Sequence, residues 1–187
     1  MIEKKDKLEI LRVGLILFAI TAVAAFVLAF VNSVTEPVIA ANNQKKQEAA
    51  MKSVLPEGTK FENVEFTPDE GSSVSEIYSA GDAGAVVMVK PKGYGGEISM
   101  AVGIDRSYKV TGVEIISQSE TAGLGANCTN DSFKEQFKGK TENIEVVKNG
   151  AKENQIDAIS SATITSKAVT KGVNEAVATV KAMRGGE

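Results

Sequence analysis

The sequence predicts an α+β protein, with one N-terminal transmembrane helix followed by a domain in which an antiparallel sheet packs against helices. Three observations carry this reading. An uncharged apolar run lies close to the N-terminus, and four short β-rich segments follow one another between turn residues. In the closing segment, apolar residues recur at helical spacing.

The apolar run "VGLILFAITAVAAFVLAFV", residues 13–31, has no charge and one polar residue, Thr21. About 20 apolar residues at 1.5 Å each span the hydrocarbon core of a bilayer. A cleaved leader is the alternative, since Lys4, Lys5, Lys7 and Arg12 would serve as its basic region. The run is long for a leader, and "FVNSVTEP" has no convincing small-x-small cleavage site, so an uncleaved anchor is favoured. The same four cations crowd the short N-terminal side, whereas Lys45 and Lys46 lie further from the far end. By the positive-inside rule residues 1–12 are cytoplasmic, residues 13–33 span the bilayer, and everything after them lies outside the cytoplasm.

Residues 34–56 read as a juxtamembrane helix with Thr35 as its N-cap, Pro37 in its first turn and "PEG" as its stop. Residues 57 to about 73 have the composition of a loop. Strands are expected in "SEIYSA" (75–80), "AVVMVK" (85–90), "EISMAVGID" (97–105) and "KVTGVEIIS" (109–117). Short Gly-, Asp- and Pro-containing connections make them a meander, hence antiparallel. "DSFKEQFKG" (131–139) has the pattern of a short amphipathic helix ending at Gly139. From about Thr163 to Met183, Val169, Val173, Ala176, Val177 and Val180 form a stripe expected to pack on the sheet. Residues 57–187 thus form a single extracytoplasmic domain.

Composition removes several function classes. With 21 basic against 24 acidic residues and a net charge of −3, no nucleic-acid partner is expected. The chain has no histidine, which takes away the commonest general base and the usual zinc and haem ligand. The one cysteine, Cys128, is too few for an iron–sulfur site or an internal disulfide, and no imidazole activates it. Metal sites are not expected, so redox chemistry would need an organic cofactor.

Against this background "DAISSATITS" (157–166) stands out. It gathers five hydroxyls, Ser160, Ser161, Thr163, Thr165 and Ser166, beside Asp157 at a helix entrance. Hydroxyls cap helix starts, but one suffices for that. The same entrance offers free N–H groups and the positive end of the helix dipole to a phosphate, with Lys167 one turn further in. A nucleophilic serine enzyme is disfavoured because no histidine is available as its base. Capping and phosphate binding both remain open on these residues alone.

The run Asp157-Ala158-Ile159-Ser160-Ser161-Ala162-Thr163 closely resembles the flavinylation signature of the FMN-binding domain family, approximately D-x-x-(S/T)-(G/S/A)-A-T. "KGYGGEISMAVGID" (92–105) and "SQSETAGLGAN" (117–127) resemble that family's glycine turn and its E-T-(P/A)-G-L-G loop. The order of the three stretches behind one N-terminal span is similar to the G-subunit family of Rnf complexes, the ion-translocating ferredoxin:NAD⁺ oxidoreductases. The C-subunit family of Na⁺-translocating NADH:quinone reductases shares the domain and is usually longer. Ser161 stands where the family often has Gly, Ala122 where it often has Pro, and Gln118 and Ser119 where a His is often nearby.

The resemblance implies FMN linked through its phosphate to the Thr163 oxygen by a dedicated flavin transferase that reads Asp157 and Ser160. Ser160, Ser161, Ala162 and Thr165 are then expected near the phosphate. Leu124 is expected on the ring face and Glu120 with Thr121 at its polar edge. Gly123 and Gly125 would allow close backbone approach, and Tyr94 would stack. For Glu120 a solvated loop carboxylate is the competing expectation. The implied function is electron relay in an Rnf-type complex, with membrane and peripheral subunits and the lipid bilayer as partners. With no Rossmann fingerprint, NADH and ferredoxin would bind elsewhere, and this chain would hold no complete active site of its own. The alternatives are a C-subunit-like flavoprotein, a free-standing extracytoplasmic flavin relay, and a membrane-tethered assembly module without redox function.

Overall fold

The computed structural model of the protein describes residues 4–69 and 71–185. The chain divides into two compact units, residues Met1–Lys45 and Lys46–Glu187.

Helix α1 (Lys4–Val54) supplies the first unit and enters the second. Its apolar side chains are exposed, Phe18 by 71% and Phe26 by 73%, and its most apolar window has a mean hydropathy of 2.7 with none of it buried. So much continuous apolar surface is satisfied by lipid and by little else, which makes this helix the membrane anchor. The one hydroxyl in the apolar run is satisfied internally, since Thr21 Oγ1 donates to the carbonyls of Leu17 and Phe18, each at 3.0 Å.

The helix entry expected at Thr35 does not occur. Thr35 Oγ1 instead donates back to Val31 O at 2.9 Å, and Pro37 lies inside one uninterrupted helix. Proline costs such a helix one hydrogen bond, of the order of 3 kcal/mol in a helix interior. Long helical stretches on both sides of Pro37 offset that loss, which a local reading of caps does not register.

The second unit is built on a five-stranded antiparallel meander in chain order, β1 (Glu62–Val64), β2 (Val74–Ser79), β3 (Ala85–Val89), β4 (Ser99–Ile104) and β5 (Val110–Ser117). The four expected strands are present and pair as expected. β1 forms inside the stretch read as loop, being only three residues long and on the sheet edge.

Both sheet faces are covered, which explains why "AVVMV" of β3 is apolar without alternation and buried throughout. On one face Val87, Val89, Met100 and Val102 meet the stripe of helix α3 (Thr163–Arg184), where Val169, Val173, Ala176, Val177 and Val180 are all buried. On the other face Val86, Met88 and Ala101 meet Ala50, Met51 and Val54 from the end of α1 and Leu55 just after it. Gly103 and Gly112, paired across β4 and β5, form the seat for that end. A Cβ on Gly103 would collide with Val54 O, so only glycine fits. Thr111 Oγ1 donates to the same carbonyl at 2.5 Å.

Between β5 and α3 the chain makes helix α2 (Asp131–Lys134), continued by a 3-10 turn over Glu135–Phe137, as the pattern at 131–139 predicts. Phe133 and Phe137 bury themselves edge to face, with centroids 5.5 Å apart. A parallel pair then follows that the sequence pattern does not predict, β6 (Glu145–Val147) with β7 (Gln155–Asp157). Asn174 of α3 grips the residue before β6, donating to Ile144 O at 3.0 Å and accepting from Ile144 N–H at 2.9 Å. β7 ends at Asp157, the first residue of the hydroxyl-rich motif.

Candidate functional site

The motif is shaped by what holds its two ends. At its start Asp157 is pinned. Its carboxylate accepts from Ala151 N–H at 2.9 Å, and its own N–H donates to Gln136 Oε1 at 2.7 Å. A tight turn follows, closed by Ala162 N–H to Ile159 O at 2.9 Å, with Ser160 and Ser161 exposed at its corner. Ser161 has φ +60°, the left-handed region that costs an L-residue about 1–2 kcal/mol and glycine little.

Helix α3 then begins at Thr163 with Ala162 as its N-cap, and no side chain caps it. The hydroxyls therefore do not serve the capping role their abundance allows. Ser166 works from beneath, its Oγ accepting from Ile159 N–H at 2.9 Å and donating to Ala162 O at 3.0 Å. Thr165 is buried and donates to Glu120 Oε2. Ser160, Ser161 and Thr163 remain exposed, and of these only Thr163 is part of the helix. Its amide and those of Ile164 and Thr165 precede the first intrahelical donor, Ser166 N–H to Ala162 O, so an anion at the helix start would find them free. Lys167, four residues on and on the same side of the helix, is exposed and has no ion-pair partner among the described residues.

Glu120 joins this helix start to the two glycine-rich stretches. It is 8% exposed, so the solvated-loop reading does not hold. Oε1 accepts from Gly95 N–H at 2.8 Å in the turn after β3, and Oε2 accepts from Thr165. A Cβ at Gly93 would lie 2.5 Å from Oε1, one at Gly125 would lie 2.6 Å from Oε2, and one at Gly95 would collide with Ser119 O. These three glycines, two on the turn after β3 and one on the loop of Glu120 itself, let those two backbones pack closely together at the carboxylate. Gln118, near which the resembled family often has a His, receives the Glu120 N–H on its Oε1 at 2.5 Å. Thr121 is exposed and turns the loop by accepting from Leu124 and Ala126 N–H at 3.1 and 3.2 Å. Gly123 takes φ +76° within it. Cys128, wholly buried nearby, has its thiol pushed up to about 11 by burial and then by the Glu120 charge.

Residues adjoining this knot in sequence carry exposed apolar side chains. Among the described residues of the second unit the exposed large apolar side chains are Tyr94 (72%), Ile164 (57%), Leu124 (41%) and Met183 (41%). Tyr94 lies between Gly93 and Gly95, Leu124 precedes Gly125, and Ile164 precedes Thr165. The first three therefore come from the segments that Glu120 ties together. Ile164 is a residue that the motif alone does not single out. Its signal is an apolar side chain out of phase with the buried stripe of α3.

Comparison with known proteins places these observations in a family. The profile of the FMN-binding domain matches residues 93–178, and that of the RnfG N-terminal region matches residues 1–54, which ends where α1 ends. The chain is 38% identical to the G subunit of the Na⁺-translocating ferredoxin:NAD⁺ oxidoreductase complex of Acetobacterium woodii, over 94% of this chain and 96% of that protein. It is 36% identical to the G subunit of the proton-translocating ferredoxin:NAD⁺ oxidoreductase complex of Clostridium ljungdahlii, over the whole of both. The domain resembles in fold the crystal structure of NqrC from Shewanella oneidensis, with a TM-score of 0.50 and 23% identity over 57% of this chain and 61% of that one. With such identity to the two G subunits sustained from end to end, the chain belongs to the G-subunit family of Rnf-type ion-translocating oxidoreductase complexes.

Proposed function

We propose that this chain is the membrane-anchored flavoprotein subunit of an Rnf-type complex, carrying FMN esterified through its phosphate to Thr163 Oγ1. It would relay electrons within an assembly that couples transfer between ferredoxin and NAD to ion translocation. The observation that carries the reading is the start of α3, where an exposed threonine hydroxyl stands on a helix end left without a side-chain cap.

The residues present fit the group. A phosphodiester on Thr163 keeps one negative charge, and the free first-turn amides, the helix dipole and Lys167 are positioned to receive it. A charge at a helix N-terminus gains about 0.3–1 kcal/mol when exposed and about 2 kcal/mol when partly buried. That is too little to retain a cofactor, whereas a covalent tether holds it at an effective concentration of roughly millimolar or above. Tyr94, Leu124 and Ile164 offer the apolar surface for a flat ring. Glu120, Thr121, Gly123 and Gly125 shape the loop that presents Leu124, and Ser160, Ser161, Ala162 and Thr165 form the turn and first helical turn around the phosphate. Flavin supplies one- and two-electron transfer; the protein supplies position and electrostatics.

Asp157 and Ser160 are the features we assign to recognition by a flavin transferase. Asp157 then has two tasks, because its carboxylate also fixes the loop at Ala151. Lys4, Lys5, Lys7 and Arg12 put the N-terminus in the cytoplasm and the domain outside it, where free flavin nucleotide is scarce and a tether is useful. The bilayer and the other subunits of the complex are its standing partners.

Full-length protein coexpressed with a flavin transferase tests the reading by intact mass and by in-gel flavin fluorescence after denaturation. Wild type is expected to carry one flavin, Ser161→Ala to retain it, and Thr163→Val to carry none. Flavin that survives denaturation in Thr163→Val would refute the attachment.

A further inference from the structure

Glu120 is a buried acidic side chain for which the proposed relay has no direct use. Both of its oxygens accept within the protein, one from Gly95 N–H and the other from the Thr165 hydroxyl, and at 8% exposure the side chain offers a ligand little direct contact. Among the described residues no Lys or Arg forms an ion pair with it. Burying a carboxylate with two neutral donors and no cation is costly, and a solvated loop could have avoided it. Its partners all lie next to the exposed apolar residues: Gly93 and Gly95 flank Tyr94, Gly125 follows Leu124, and Thr165 follows Ile164.

We infer that Glu120 is a positioning and tuning residue of the flavin site, joining the three segments that present Tyr94, Leu124 and Ile164 and keeping an uncompensated negative charge beneath them that favours the oxidised flavin. The inference rests on the flavin reading. Its first half is mechanical: the carboxylate is the group that bonds both the turn at Gly95 and the first turn of α3. Its second half is electrostatic. Reduction would add negative charge to a ring held by these side chains, and a buried carboxylate with no cation beside it, on residues adjoining theirs, would oppose that charge. The two halves are separable because glutamine can keep the geometry while removing the charge. Its carbonyl oxygen can accept from Gly95 N–H, and its amide can donate to Thr165 Oγ1, whose hydroxyl can rotate to accept.

The test uses full-length protein in detergent, as wild type, Glu120→Gln and Glu120→Ala. Without regard to flavin, hydrogen exchange at the Gly95 amide is expected to stay slow in wild type and Glu120→Gln and to become fast in Glu120→Ala. Equal protection in all three would overturn the clamp. In protein carrying covalent flavin, a redox titration is expected to give Glu120→Gln about a tenfold higher ratio of reduced to oxidised flavin at a fixed poise, equivalent to about 30 mV for a two-electron couple. Full flavin loading with an unchanged potential in Glu120→Gln would overturn the tuning. Should wild type carry no flavin, the functional reading fails, while exchange at Gly95 still decides the clamp.

Discussion

The first turn of α3 and the remainder of that helix are made of similar residues put to opposite ends. From Ala168 onward the polar groups that matter are answered: Asn174 holds both backbone groups of Ile144, and Glu175 takes the amide and hydroxyl of Ser73 and pairs with Lys171 at 3.4 Å. Its valine stripe is buried, with Val169, Val173 and Ala176 wholly inaccessible. In the first turn the amides are uncapped and Ile164 faces outward. Among the described residues, Lys167 one turn further in has no ion-pair partner, and Glu120, which binds Thr165, has no cation. One helix thus contributes stability along most of its length and concentrates unsatisfied chemistry at its start, as expected where a ligand rather than the protein completes the interactions.

The contrast breaks most sharply under paired substitutions. Thr163→Val is expected to abolish covalent flavin while moving stability by no more than about 0.5 kcal/mol, because the side chain is exposed. Val173→Ala is expected to do the reverse, costing about 2 kcal/mol or more from two lost methyl groups and the cavity, with the flavin retained. Fluorescence after denaturation and chemical unfolding of the full-length protein measure the two effects. If Thr163→Val unfolds the domain, or Val173→Ala strips the flavin, the division between the two parts of the helix is wrong.

A smaller effect is expected at the turn. Ser161→Gly relieves the φ of +60° and should stabilise the fold by up to about 1 kcal/mol without loss of flavin, measured by the same unfolding transition. Smaller still is the pH response of the helix body. Burial opposes ionisation of Glu175, but the hydroxyl and amide of Ser73 and the Lys171 ammonium outweigh it and hold the carboxyl below its usual 4.5. Its contribution is therefore complete above that value and lost as pH falls through the depressed folded one. Glu175→Gln should lose this contribution in the neutral range and change stability little at the acid end, which flattens the acid limb. Cys128, with its thiol raised to about 11, should resist alkylation at neutral pH until the protein is unfolded.

Much of this was legible in the sequence for identifiable reasons. The anchor, the four main strands and the stripe of α3 rest on hydrophobic patterns long enough to outweigh local noise. Thr35 and Pro37 misled because capping signals are local, whereas the continuity of α1 depends on the helix on both sides. β1, β6 and β7 are three residues each, too short for any periodicity to register. The motif pointed to Thr163, but which of its neighbours would be buried was hidden. Thr165 and Ser166 turn inward to serve Glu120 and Ile159 through contacts made across 45 and 7 residues. The roles of Gly93, Gly95 and Gly125 were hidden likewise, since a glycine needed for close approach reads in sequence like any turn glycine.

The central claim is chemical and has a direct measurement. Peptide mapping by mass spectrometry of the protein isolated from its native membranes should find the peptide containing Thr163 heavier by one FMN less water, with fragment ions placing the addition on Thr163. An unmodified Thr163 peptide in that preparation, or the addition on Ser160 or Ser161, would contradict the account.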